Sequence, residues 1–259
     1  MRRREFIAGI SAAAAAALCR FNPVYAQGVS AVAHRVVTLN GIRMHIAEQG
    51  TGPLILLCHG WPECWYSWRH QLAAIAARGF HAVAPDMRGF GETDAPDDVH
   101  AYTIAHNVGD MVSLVGALGE RSAVIVGHDW GAPVAWTAAQ LRPDIFRAVA
   151  AMSVPYNPRG PMPPLQALRD AGITTFYWQY FQAPGIAEAE FEQDVDRTMR
   201  AFLYGQGLSM ARVSPGQGIL SESTIPNEGL PRHVFIKSVP MFAFIASSIT
   251  FAFTVQKMS

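Results

Sequence analysis

Apolar residues recur along this chain with two alternating periods. The segments 34–39 and 43–48 flank Asn40-Gly41, a dipeptide suited to the positive-φ turn of a two-residue hairpin. The run 53–58 is apolar without interruption, the pattern of a strand covered on both faces. Trp65, Trp68, Leu72 and Ile75 follow at helical spacing, with Gly79 as the stop. Residues 80–85 predict the next strand. Ile104, Val108, Met111, Val115 and Leu118 mark a helix, with Thr103 as its cap and Gly119 at its end. A short strand at 123–126 runs into Gly127. A small-residue helix follows from about 132 to 141, stopped before Pro143, and 147–153 is one more strand. Two hairpin strands and then repeated strand–helix units predict an α/β fold, an open and mostly parallel sheet with helices on both faces.

After Val154 the pattern changes. Pro155, Pro158, Pro161, Pro163 and Pro164 predict a linker. Beyond it 173–182 and 187–203 read as helices. Ala187, Phe191, Val195, Met199 and Phe202 share one face of the second. The expected organisation is a core over 27–154 and a helical insertion over 155–231, sitting on the sheet.

Composition narrows the function classes. Twenty Lys+Arg balance 20 Asp+Glu, which argues against a nucleic-acid partner, because phosphate binding needs a clustered positive surface. Half of the 259 residues are hydrophobic, enough for a large core. Three cysteines are too few for a disulfide scaffold and lack zinc-site spacing. No metal and no cofactor are expected, and Cys58 reads as an inert buried thiol. The start, Met-Arg-Arg-Arg-Glu-Phe-Ile, precedes an apolar run over 7–18 and then Val24-Tyr25-Ala26. That order predicts an export signal over 1–26, of twin-arginine type at Arg3-Arg4, and a periplasmic or secreted protein. The run is short for a membrane anchor, so no span is expected in the mature chain. Lipidation of Cys19 is disfavoured by Leu18 before it.

The chemistry gathers at strand ends. Gly127-His128-Asp129-Trp130-Gly131 has the form of a nucleophile elbow, with Asp129 where ester hydrolases carry Ser. A carboxylate displaces a leaving group at saturated carbon and forms an alkyl ester of the enzyme. Hydrolysis of that ester builds an oxyanion on the carboxyl group of Asp129 itself, so donors must stand beside it. His59-Gly60-Trp61-Pro62 follows the strand at 53–58. It assigns the backbone N–H groups of Trp61 and Trp130 as those donors. Pro62 fixes the turn, through a cis bond if one is present, and His59 braces the loop by hydrogen bonding.

These stretches resemble the α/β-hydrolase fold family, and within it the epoxide hydrolases. The likeness rests on His59-Gly60-Trp61-Pro62-Glu63, Trp65-Tyr66-Ser67-Trp68-Arg69, Asp86-Met87-Arg88-Gly89-Phe90-Gly91 and the elbow. It continues through Phe176-Tyr177-Trp178-Gln179-Tyr180-Phe181-Gln182 and Pro184-Gly185-Ile186-Ala187-Glu188-Ala189-Glu190. The resemblance implies an epoxide opened to a diol by Asp129, with water as co-substrate and Tyr177 donating to the epoxide oxygen from a helical cap. A haloalkane dehalogenase is the enzyme alternative, with Trp130 holding a halide. A defective chain that binds or traps ligand is the non-enzyme one. The likeness ends near Arg232. The tail 232–259 has Phe242, Phe244, Phe251 and Phe253 but no Asp or Glu, and His233 is the sole His after the elbow. Counterparts of the family's base, its acid and a second tyrosine are not recognisable there. The expectation is a truncated or frameshifted end, or a membrane-seeking tail, and at most one slow turnover. Oligomeric state and the particular epoxide are not legible.

Overall fold

The computed structural model describes residues 31–158, 160–204, 213 and 218–220. The expected export signal and the tail from 232 lie outside the described residues.

Six strands form one sheet: β1 (Ala33–Leu39), β2 (Ile42–Gln49), β3 (Leu54–Cys58), β4 (His81–Pro85), β5 (Ala123–His128) and β6 (Phe146–Met152), in the order β1-β2-β4-β3-β5-β6. β1 and β2 are antiparallel, and Asn40 and Gly41 turn between them at φ 43 and 78, as the dipeptide predicts. The pairs β4–β3, β3–β5 and β5–β6 are parallel. The chain leaves β3 towards β4 and returns on the other side as β5, so the sheet changes direction at β3. Loops after strands on the two sides of such a point part and leave a crevice at the carboxyl edge.

Alternation within β3 explains the two layers. Leu54, Leu56 and Cys58 join the core beneath α2 (Ile104–Ala117) and α3 (Gly131–Leu141). Leu57 faces the opposite way and packs with Leu72 of α1 (Arg69–Ala76). Side chains one apart on a strand point to opposite faces, so both sides of this run must be apolar. Thr103 caps α2, accepting the His106 N–H at 3.2 Å, and Gly119 follows the helix at φ 79. The spacing from Trp65 resolves into a 3-10 turn, Trp65–Trp68, and then α1.

The helical region departs from the expectation in three places. The proline linker ends in a helix, α4 (Pro164–Asp170), with Pro164 at the first turn, where its missing N–H costs nothing. The expected helix over 173–182 shrinks to one turn, α5 (Tyr177–Tyr180). Gly172 at φ 71 ends α4, and the β-branched run Ile173-Thr174-Thr175 resists helix. The expected single helix over 187–203 is two, α6 (Ile186–Phe191) and α7 (Val195–Tyr204). The Asp194 carboxylate accepts the Arg197 N–H at 2.9 Å and so starts a new helix where an apolar stripe alone predicts continuity.

Candidate active site

Pairing of β3 with β5 sets Cys58 opposite Gly127. The loops that leave these two strands therefore meet. Asp129 sits between β5 and α3 at φ 49, a left-handed conformation uncommon outside glycine. A nucleophile elbow imposes that geometry. Glycines make it possible: a Cβ at Gly127 would overlap the backbone of Gly131, and one at Gly131 would overlap the Cys58 carbonyl. A Cβ at Gly60 would stand 2.6 Å from Asp129 Oδ1. The loop after β3 thus lies directly against the carboxylate.

The Trp61 N–H donates to Asp129 Oδ1 at 3.0 Å. The peptide between Trp61 and Pro62 is cis. His59 is buried and braces this loop as expected. The Met87 N–H donates to His59 Nε2 at 2.9 Å, so the ring proton sits on Nδ1, which donates to the Gly60 carbonyl at 2.8 Å. Burial holds the pKa of His59 below the usual imidazole range and keeps the ring neutral. Trp130 follows Asp129 and caps α3 at φ −64.

Above the elbow stand the rings of the helical region. Trp61 meets Phe181, Phe191 and Phe202 at centroid distances of 5.5, 6.2 and 4.5 Å. Trp130 meets Trp178 at 6.1 Å. Tyr177 is half-buried beside Phe176 and Phe181. Burial raises its phenol pKa, and the negative charge of Asp129 adds to the rise. The hydroxyl therefore keeps its proton in the presence of the carboxylate.

Two further groups act on this site without a sequence-level assignment. Glu63 bridges the two loops: its Oε1 lies 3.1 Å from His128 Nδ1 and its Oε2 accepts the Gly60 N–H at 3.4 Å. Asp86, just past β4, accepts the N–H groups of Trp65 at 2.8 Å and Glu92 at 3.0 Å and pairs with His45 Nδ1 at 2.8 Å. Its neighbour Met87 supplies the bond that orients His59. An acid at the carboxyl end of a strand is the signal that would have found it. Cys58 is fully buried and its thiol pKa is pushed up to about 12, which makes it inert.

Residues 53–248 match the model of the alpha/beta hydrolase fold family. Epoxide hydrolase A of Mycobacterium tuberculosis is 43% identical over 212 residues, 78% of this chain and 66% of the relative. Epoxide hydrolase 3 of Siraitia grosvenorii is 47% identical over 161 residues, 62% of this chain and 51% of the relative. Among solved structures, epoxide hydrolase A of Mycobacterium thermoresistibile superposes with a TM-score of 0.72 at 37% identity, covering 86% of this chain and 71% of that one. An epoxide hydrolase from an endophytic Streptomyces gives 0.71 at 46%, covering 78% and 63%. The chain spans about half to two thirds of the length of these two curated relatives. These names favour the epoxide over the halide alternative. The chain belongs to the α/β-hydrolase fold family and, within it, groups with the epoxide hydrolases.

Proposed function

We propose that this chain opens epoxides through an alkyl ester on Asp129. A carboxylate at the elbow, with one oxygen already on the Trp61 N–H, carries this reading. One carboxylate oxygen of Asp129 attacks an epoxide carbon, the C–O bond breaks, and the Tyr177 hydroxyl proton passes to the departing oxygen. The helices from Pro164 onward serve as the cap that presents Tyr177. Water then adds to the ester carbonyl, the N–H groups of Trp61 and Trp130 hold the oxyanion, its collapse releases the diol and the Asp129 carboxylate, and the proton lost by the water restores the Tyr177 hydroxyl.

Alkylation needs only these parts. Hydrolysis needs a proton acceptor for the water, and the described imidazoles nearest Asp129 are both engaged, His59 by the loop backbone and His128 by Glu63. A missing base typically slows such a step by about 10²–10⁴-fold. Treated with a reactive epoxide, the chain is therefore expected to gain the mass of one epoxide at Asp129 and, if only the described residues act, to release diol slowly. Asp129→Asn should not be alkylated. Labelling elsewhere with Asp129 untouched would remove the nucleophile, and sustained diol release would reveal a base among residues beyond those described. Halide release from a haloalkane in place of diol would restore the dehalogenase alternative.

The basic start and Ala26 support export of the chain with removal of 1–26. Replacing Arg3 and Arg4 with Lys should leave the protein in the cytoplasmic fraction, and unchanged export would rule out the twin-arginine route.

A further inference from the structure

A single helical turn is held in place by its neighbours, because its own hydrogen bonds do not repay the cost of ordering it. α5 is such a turn, and it begins with Tyr177 and ends with Tyr180. The Tyr180 hydroxyl donates to Glu190 Oε2 at 2.7 Å. The same carboxylate accepts two backbone donors from much later in the chain, Ile219 N–H on Oε2 at 3.0 Å and Leu220 N–H on Oε1 at 2.8 Å. The approach is close: a Cβ at Gly218 would overlap the carboxylate. Ile219 and Leu220 are buried in the same core as Trp61, and Arg197 donates to the Leu220 carbonyl at 3.3 Å. The other end of the turn is tied through the Thr175 carbonyl, which accepts the Val213 N–H at 2.6 Å.

We propose that Glu190 is a positioning residue for Tyr177: held by the Ile219 and Leu220 N–H groups, it grips Tyr180 at the far end of α5 and so fixes where the Tyr177 hydroxyl points. The structural part of this claim stands on the hydrogen bonds alone. Its catalytic consequence rests on the epoxide reading. Residues three apart on a helical turn are neighbours on its surface, so a rotation that frees Tyr180 carries Tyr177 with it. A carboxylate suits the task, since its two oxygens offer about four acceptor sites for three donors. A glutamine would turn an NH₂ group towards one of those donors. Positional error matters here, because a displacement of about 1 Å at a reacting group can cost about 10²-fold in rate.

The test uses the full chain with carbon-13-labelled tyrosine rings, the Tyr177 resonance being assigned from Tyr177→Phe. Glu190→Gln should shift or broaden that resonance. Tyr180→Phe should do the same while leaving the Ile219 and Leu220 amides protected from hydrogen exchange. Glu190→Gln should expose those amides as well. The rate of Asp129 alkylation should fall about 10–100-fold in Glu190→Gln, with no further fall when that change is added to Tyr177→Phe. A Tyr177 resonance unmoved in Tyr180→Phe would overturn the proposal, as would losses that simply add in the double variant. Should Glu190→Gln fail to fold, Tyr180→Phe decides alone. If Asp129 of the unaltered chain takes no epoxide, the epoxide reading falls while the resonance experiment still decides the positioning role.

Discussion

The sheet half of the molecule and its helical region are fastened by different chemistry. In the sheet half, buried charges meet across long stretches of chain. Arg88 forms a two-point pair with Asp110, at 2.9 Å from Nε and 2.6 Å from Nη2, and Asn40 adds a bond to the same carboxylate at 2.7 Å. That network ties the hairpin turn, the loop after β4 and α2 into one arrangement. In the helical region side chains bond nearby backbone, as from Gln179 to the Ile173 carbonyl at 2.6 Å and from Thr198 to the Phe191 carbonyl at 2.8 Å, and the Glu190 carboxylate adds a longer tie to Tyr180 and the backbone at 219–220. The two regions meet through aromatic rings around Trp61. Directional charge pairs specify one geometry, while aromatic contacts hold area with looser direction. The elbow carboxylate, held by the Trp61 N–H, lies in the first region, and the rings that meet Trp61 lie in the second.

The sharpest way to break that contrast is to leave one buried charge alone. Asp110→Ala removes the partner of Arg88, whose side chain is 3% exposed. It should lower global stability by about 3–5 kcal/mol, read as the midpoint of denaturant unfolding. Burial pushes the Asp110 carboxyl pKa up even against Arg88 and Asn40, and a buried ion pair is commonly no more stabilising than well-packed apolar residues of similar volume. Asp110→Leu combined with Arg88→Met should therefore recover most of the loss. If Asp110→Ala costs no more than an exposed pair, the sheet half is not anchored as described.

The matching change in the helical region is Phe181→Ala. This ring is 1% exposed and touches Trp61, Tyr177 and Phe191. Its loss should cost about 3 kcal/mol, but the effect should be local. Hydrogen exchange should quicken in α5 to α7 and stay unchanged in β3 and β5. Equal quickening in both would show that the regions unfold as one.

Hydrophobic period showed the sheet half because each strand and helix there is defined by neighbours within a few residues. Thr103, Gly119, Asn40-Gly41 and the elbow glycines all act locally, so they were legible. The partnership of Arg88 with Asp110, 22 residues on, and with Asn40, 48 residues back, has no local pattern. The same holds for Glu190 and the backbone at 219–220. The helical region misled the pattern because apolar spacing continued through Glu192-Gln193-Asp194, where a polar cap overrides it. Asp129 and Trp61 are legible as candidates from the elbow glycines and from the loop that follows the apolar run at 53–58, and the structure brings the Trp61 N–H to Asp129 Oδ1 at 3.0 Å. Glu63 and Asp86 were visible as motif letters, but their roles depend on which loops meet.

A smaller effect is expected from pH. His45 is 4% exposed between Asp86 and His34, whose Nδ1 lies 3.1 Å from His45 Nε2. Burial opposes its charge, yet the hydrogen bond and charge of Asp86, with Glu92 nearby, raise its pKa. For Asp86, burial is outweighed by its donors and the pKa falls. The His45 share of stability is present below the ordinary imidazole value of about 6.5 and is lost as pH rises through the raised one. The Asp86 share is present above about 3.9 and is lost as pH falls through the lowered value. The pair should thus contribute most between about pH 4 and 6.5. His45→Asn should flatten the alkaline decline in unfolding midpoint. A decline that persists unchanged would assign it to other groups.

The smallest expected effect separates the two regions most cleanly, because it applies one kind of bond to both. Thr103 caps α2 by accepting the N–H of His106, and Asp194 caps α7 by accepting that of Arg197. Each bond satisfies an N–H three residues into its helix, and each change to alanine should cost about 1 kcal/mol. α2 packs on α3 and on β1, so it opens only when the sheet half opens. Thr103→Ala should therefore shift the global unfolding midpoint. α7 is joined to the sheet half through Phe202 against Trp61 and through Ala201 in the shared core, with no hydrogen-bonded strand pairing among the described residues to hold it. Asp194→Ala should leave the global midpoint in place and raise hydrogen exchange in α7 about fivefold, which is 1 kcal/mol read as a local opening equilibrium. A global shift of equal size in both variants would show that the aromatic joint is as cooperative as the sheet, and the distinction between a sheet half fixed by buried charge and a helical region that opens locally would fail at its base.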